Sequence, residues 1–300
     1  MSEATRVAIV GLGAIGGSAA LKLIERAVTP SGFAADDEDR RHALAAGVRV
    51  EASVDEAVRD ADLVLIAVPL DQLADVSREV LRACSATATV FHASSLQRPD
   101  ATRLDLETAA RVFGTHPLAG TEHAGFSAAS ADLFRGARVF VEARGAANPR
   151  TREDAELFWS MAGASRIEYL EAAKHDDLMA AISHVPQIVA TALAATLGYA
   201  NVTRSDLGPG GRDMTRLAAS SWSMWRPLLA ATPGRTLAML ESIETELRDV
   251  REAIAAQTLD ETGITWEVAR GWALSLPRAE RGDRVSGEKQ IPRFAQDDNR

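Results

Sequence analysis

Residues 114–126 read GTHPLAGTEHAGF: two histidines, a glutamate, two threonines and three glycines around one proline. Too few of these are apolar to build a core, and most can bind a ligand or move a proton. His116 is the natural base. Oxidising a carbinol by hydride loss also releases the hydroxyl proton, and neutral imidazole accepts it near pH 7. A histidine before a proline, taken alone, is more often a hydrogen-bonded loop residue, so its neighbours must carry the argument. An unperturbed imidazole would place the acid limb of such a reaction near pH ~6.5.

A second group supplies the hydride acceptor's berth. In VAIVGLGAIGGSAALKLI, Gly11, Gly13 and Gly16 follow a strand and open a helix, with Ala14 and Ile15 between them. The first glycine makes a tight turn, the second admits a pyrophosphate, and the third lets helix and strand pack closely. The helix N-terminus turns unpaired N–H groups toward the phosphates. The second strand should end in an acid that binds the adenosine ribose, but Ala34 stands there, with Asp36 and Asp37 following. Two carboxylates disfavour a 2′-phosphate despite Arg40 and Arg41, so NAD is expected over NADP, with Asp36 as the ribose ligand. Asp36 reads equally as the cap of the next helix. Val68 and Pro69 end another apolar run at the ligand crevice, where Pro69 also suits a helix start.

Those groups need a frame. The apolar runs 7–10, 63–68, 88–91 and 111–113 alternate with amphipathic stretches 18–26, 39–46 and 71–83. Such alternation implies a doubly wound parallel sheet of the Rossmann type, with 139–141 as a further strand. Asn148-Pro149 marks a helix start and the expected boundary. The division is then a dinucleotide-binding domain 1–147, an all-helical substrate and dimerisation domain 148–276, and a disordered tail 277–300. Apolar residues Leu237, Leu240, Ile243, Leu247, Val250 and Ile254 form one helical stripe, which fits internal packing or a subunit interface equally.

Composition removes other classes. The 300 residues carry a formal charge of −9, which argues against nucleic acid. No run of about 18 uninterrupted apolar residues offers a membrane span. A lone Cys84 and the absence of a signal-like start lead us to expect a soluble, cytoplasmic protein. No cluster of ligating side chains suggests a metal.

With SHVPQIVA (183–190) and GGRDMTRLAASSWSMW (210–225), the motif at 114–126 resembles, in order and across residues 6–232, the prephenate/arogenate dehydrogenase family. The resemblance implies catalytic roles for His116 and for Ser95, which would hydrogen-bond the same hydroxyl or His116. It also implies a substrate site of Thr121, Glu122, His184, Asp213, Arg216 and Trp225. Arg216 would grip a carboxylate with two parallel hydrogen bonds, with Asp213 on its helical face and Arg212 as the alternative. Ser95 fits a loop serine as well, His184 a buried structural histidine, and Trp225 the core. The chain departs from the family in having His92 and Gln97 where an acid and a lysine are usual, and Gln187 where a second histidine is common.

The implied reaction is NAD-dependent oxidative decarboxylation of prephenate to 4-hydroxyphenylpyruvate, a step toward tyrosine, in a homodimer joined through its helical domain. Arogenate is the alternative substrate. A β-hydroxyacid-type dehydrogenase would want a helical-domain lysine, and only Lys174 and Lys289 lie beyond the first domain, neither in a motif. A non-catalytic NAD-binding sensor would not need His116, Ser95 and Arg216 together.

Overall fold

The computed structural model describes residues 5–121, 123–231 and 233–275. Glu122 and the expected tail 277–300 lie outside them. The chain runs β1 (Val7–Val10), α1 (Ala14–Glu25), β2 (Ser31–Phe33), α2 (Asp37–Ala45), β3 (Arg49–Val50), α3 (Val54–Val58), β4 (Leu63–Ile66), α4 (Leu70–Ala83) and β5 (Thr89–His92). Short helices α5 (Pro99–Thr102) and α6 (Leu106–Arg111) precede β6 (Val112–Pro117), β7 (Arg138–Glu142), α7 (Pro149–Ala162) and β8 (Arg166–Leu170). Helices follow: α8 (Ala172–Met179), α9 (Val185–Tyr199), α10 (Pro209–Thr215), α11 (Trp222–Ala231), α12 (Pro233–Ala256) and α13 (Gly263–Ser275).

The strands form one sheet in the order β3-β2-β1-β4-β5-β6-β7-β8, parallel except where β7 runs against β6. Every residue of β1 and β4 is buried, because helices cover both faces. Alternate side chains divide between the two faces. Val7, Ile9, Leu63 and Leu65 pack with Leu23, Phe158 and Trp159 of α1 and α7. Ala8, Val10, Val64 and Ile66 pack with Val54, Ala57, Leu73 and Val80 of α3 and α4.

One feature departs from the sequence-based expectation. β8 carries the sheet past Asn148 to Leu170, pairing in parallel with β7. Its sequence RIEYL hides it, since its charged residues Arg166 and Glu168 form an ion pair at 2.6 Å and Arg138 reaches the same carboxylate at 3.6 Å. Charged, half-buried edge strands lack the apolar run that reveals central ones. The helical stretch 172–199, in which Pro186 is expected to introduce a kink, is interrupted by a π turn at Ala180–His184. Pro186 in the first turn of α9 lacks an N–H and would crowd the carbonyl of Ile182, four residues back, so the wider turn accommodates its ring.

By length and composition Ala172–Tyr199 is long and apolar enough to cross a bilayer. Its buried side, however, carries His175, Asp176, His184 and Gln187, which belongs to a protein interior with polar partners. Two compact units result, Met1–Glu241 and Ser242–Arg300. The first contains the sheet and helices through α11; the described part of the second holds the end of α12 and α13.

Candidate active site

Gly11 follows β1 with φ +96°, and a Cβ there would lie 2.4 Å from the Ala67 carbonyl oxygen. A Cβ on Gly16 would lie 1.9 Å from the oxygen of Gly11, so the turn can close on α1 only with glycine at both places. Around Gly13 the space is open, and no side chain caps α1 at that residue. The backbone N–H groups of Ala14 and Ile15 at the helix start are thus placed for a pyrophosphate. Val68 is half-buried past β4, and Pro69 is the residue from which α4 starts. This cradle fits NAD.

Asp36 proves to be the N-cap of α2. Its Oδ1 accepts the N–H groups of Glu38 at 2.8 Å and Asp39 at 2.9 Å. Hydrogen bonds from Asp39 and then Glu38 hold its carboxyl below the usual range. Capping leaves Oδ2 without a hydrogen-bond donor among the described residues, so cap and ribose ligand are compatible roles. Arg40 lays its guanidinium on the Ala34 carbonyl at 2.9 and 3.2 Å.

The loop beyond His116 rests on these same two helices. Asp39 Oδ1 accepts the Phe126 N–H at 2.6 Å, and Ser18 Oγ accepts that of Ser130 at 2.9 Å. The Phe126 ring closes over Gly17, where a Cβ would come within 2.8 Å of it. The loop and the two helices beside the glycine turn are therefore built as one piece.

His116 lies near the end of β6, two residues past the last pairing with β5 (Gly114 with His92), where β6 still pairs with β7 through Phe140. Its Nδ1 lies 3.0 Å from Nε2 of His175, and His175 Nδ1 lies 2.8 Å from Oδ1 of Asp176. The Asp176 carboxylate also accepts the N–H groups of Gln97 at 2.8 Å and Arg98 at 3.0 Å. Such a carboxylate has no proton to give, so His175 must donate from Nδ1 and accept at Nε2. His116 must then donate from Nδ1, which leaves its Nε2 with a free lone pair. The chain of bonds thus fixes the base tautomer.

Burial, and then the neighbouring His175, His184 and His92, hold the His116 pKa down to about 3. The value near 6.5 expected from an unperturbed imidazole is therefore corrected downward: His116 stays neutral well into acid. Burial likewise holds His92 down to about 3 and lowers His184. His92 accepts the Ser94 N–H at its Nδ1 (3.2 Å), and Gln97 donates to the Phe140 carbonyl at 3.1 Å. The usual acid and lysine are thus replaced by two neutral, hydrogen-bonded groups.

Ser95 is half-buried just past β5, with no hydrogen-bond partner among the described residues. His184 is buried and meets the Trp225 ring edge-on at 5.8 Å. Gln187 donates to the Leu217 carbonyl at 2.9 Å. Arg216 and Asp213 form no ion pair in the structure: α10 ends at Thr215, and the chain tightens into a 3₁₀ turn from Arg216. Arg216 instead lines a cavity of about 250 Å³ with Gly120, Thr121, Arg204, Leu217, Ala219 and Ser220. The Thr121 hydroxyl donates to the His123 carbonyl at 2.6 Å.

His175 and Asp176 are the functional residues that the sequence reading missed. Their signal was helical phase: in α8 they are buried with Met179 and, one residue further, Ala180, so two ionisable groups occupy an apolar face.

Residues 18–168 match the family model described as prephenate dehydrogenase, nucleotide-binding domain, and residues 171–264 that of its dimerization domain. A cyclohexadienyl dehydrogenase of Zymomonas mobilis is 30% identical over 270 residues, covering 87% of this chain and 92% of the relative. A prephenate dehydrogenase of Lactococcus lactis is 26% identical over 260 residues, covering 82% and 70%. In fold, the prephenate dehydrogenase of Aquifex aeolicus, solved with hydroxyphenyl propionate and NAD+, superposes with a TM-score of 0.80 at 24% identity, covering 92% of this chain and 99% of that one. The nucleotide cradle, the histidine at the sheet edge and two successive domain matches point one way: this chain is an NAD-binding oxidoreductase and belongs to the prephenate dehydrogenase family.

Proposed function

We propose that the protein catalyses the NAD-dependent oxidative decarboxylation of prephenate to 4-hydroxyphenylpyruvate. The observation that carries this reading is the His116–His175–Asp176 chain, which presents a free imidazole lone pair at the carboxyl edge of the sheet. NAD supplies the hydride acceptor. In this reading His116 Nε2 takes the ring hydroxyl's proton and Ser95 hydrogen-bonds the hydroxyl oxygen. As the imidazolium forms, its Nδ1 proton can shift toward His175, bringing the positive charge beside Asp176. The oxidised ring is a dienone. Its C1–carboxylate bond breaks, CO₂ leaves, and the bonding electrons aromatise the ring to a phenolate. Returning the borrowed proton from His116 to that oxygen balances the reaction without net proton release.

Arg216 and Thr121 serve the substrate's anionic end, and His184 and Trp225 form a wall beside it. Asp213 and Glu122 complete the substrate site in this reading. Arogenate is the second reading, favoured by the cyclohexadienyl dehydrogenase name of the Zymomonas relative. We infer a homodimer, supported by the dimerization-domain match and by a stripe left open along α12, where Leu237, Leu247 and Ile254 are 55%, 65% and 54% exposed. We infer a cytoplasmic location, supported by the lone Cys84, which fits a reducing compartment. The test is direct: incubate the protein with NAD and either prephenate or arogenate, and follow the reduced cofactor's absorbance. Turnover of prephenate at the higher kcat/KM supports the first reading; turnover of neither overturns both.

A further inference from the structure

Two arginines line the cavity beyond Thr121, and only one of them is accounted for. Neither Arg204 nor Arg216 makes an ion pair among the described residues. For Arg204 the reason is local. Its obvious partner, Asp206, is occupied by Thr203, whose N–H donates at 2.8 Å and whose hydroxyl donates at 2.6 Å. Those bonds, the hydroxyl's first, hold the Asp206 carboxyl below its usual range. Two guanidiniums on one small cavity, neither in an ion pair among the described residues, form in a protein of net charge −9 a concentrated site for a dianion.

The substrate has that charge at one end. In prephenate C4 bears the hydroxyl, while C1, across the ring, bears both the ring carboxylate and the pyruvyl side chain with its own carboxylate. Both anions therefore lie together at the end of the ring opposite the hydroxyl, and the prephenate reading assigns that end to this cavity. Resting on the prephenate reading above, we propose that Arg204 is a second substrate-binding residue, holding one carboxylate while Arg216 holds the other. The product keeps a single carboxylate, so a site built for two binds it less tightly and favours its release.

The experiment compares Arg204→Gln, Arg204→Lys and wild type in the full chain. Prephenate is the substrate, and 3-(4-hydroxyphenyl)propionate, which carries one carboxylate, is the competitive inhibitor. Arg204→Gln should raise KM for prephenate about 10- to 100-fold, the scale of a lost charged hydrogen bond. Its kcat and KM for NAD should stay within about threefold, and Arg204→Lys should recover part of the loss. Because the propionate offers one carboxylate to two arginines, its inhibition constant should rise by less than KM does. A KM within twofold of wild type in a folded Arg204→Gln variant overturns the assignment, as does an equal loss for both ligands. A wild-type enzyme that oxidises neither prephenate nor arogenate overturns the reading beneath it instead, and the inference with it.

Discussion

At the sheet edge, both nitrogens of His175 are engaged and Asp176 accepts three hydrogen bonds; the two residues are 0% and 2% exposed. The cavity lined by Arg204 and Arg216 is the reverse, with exposed cations and no ion pair among the described residues. The first region fixes where a proton goes before substrate arrives, and does so in a low dielectric where a misplaced tautomer would be costly. The second holds charge in reserve until a substrate anion displaces its water. Proton transfer belongs to the transition state and should appear in kcat. Charge pairing is present throughout binding and should appear in KM.

Breaking the first region should have the largest effect. His116→Asn keeps a polar side chain but no base, and kcat should fall by about 10²–10⁴-fold with little change in KM. In wild type, the depressed His116 pKa places the acid limb of kcat/KM well below pH ~6.5. A rate profile for the variant that keeps both height and acid limb would show that His116 is a loop residue. The same burial sets a stability trend. His92, His116 and His184 have folded-state pKa values below the unfolded one, so the unfolded chain gains protons first. Thermal stability should therefore decline as pH falls below about 6.5.

Asp176→Asn tests whether the chain of bonds positions the base. An amide can donate to His175, which permits the wrong tautomer to pass along to His116. A kcat loss on the order of ten- to a hundredfold is expected, the scale on which groups that orient a reacting ligand act. KM should hold and the acid limb should move. If Asp176→Asn lowers melting temperature but leaves the pH profile unmoved, the carboxylate is only a structural anchor for Gln97 and Arg98.

That relay also marks the limit of what could be read from sequence. His116 was legible because its motif sits at the end of an apolar strand, and the glycine cradle because its spacing has one geometric purpose. β8 was not, since its charged residues mimic a loop. His175 lies 59 positions from His116 and meets it only through the fold. Arg216 was singled out with Asp213 on one helical face, but the α-helix ends at Thr215, one residue before it. Local pattern exposes local function; contacts made by tertiary packing stay hidden.

The second region should respond more mildly. Arg216→Gln should raise KM for prephenate by roughly one to two decades, with kcat and NAD affinity little changed. Equal losses in kcat and kcat/KM would place Arg216 in the transition state and erase the contrast between the two regions.

The smallest effect is expected at Asp36, where capping and cofactor choice share one carboxylate. Oδ1 holds two backbone N–H groups, so removing the side chain confounds stability with binding. Asp36→Asn separates them. Asparagine caps a helix about as well as aspartate, so melting temperature should stay near wild type. What disappears is the negative charge that would repel a 2′-phosphate, while Arg40 and Arg41 remain close by. The kcat/KM preference for NAD over NADP should therefore narrow by a few-fold, chiefly through tighter NADP binding. Unchanged discrimination in a variant of unchanged stability would reduce Asp36 to a cap and transfer the choice of cofactor to Ala34 and Arg40. Those two already touch, through the Arg40 guanidinium on the Ala34 carbonyl.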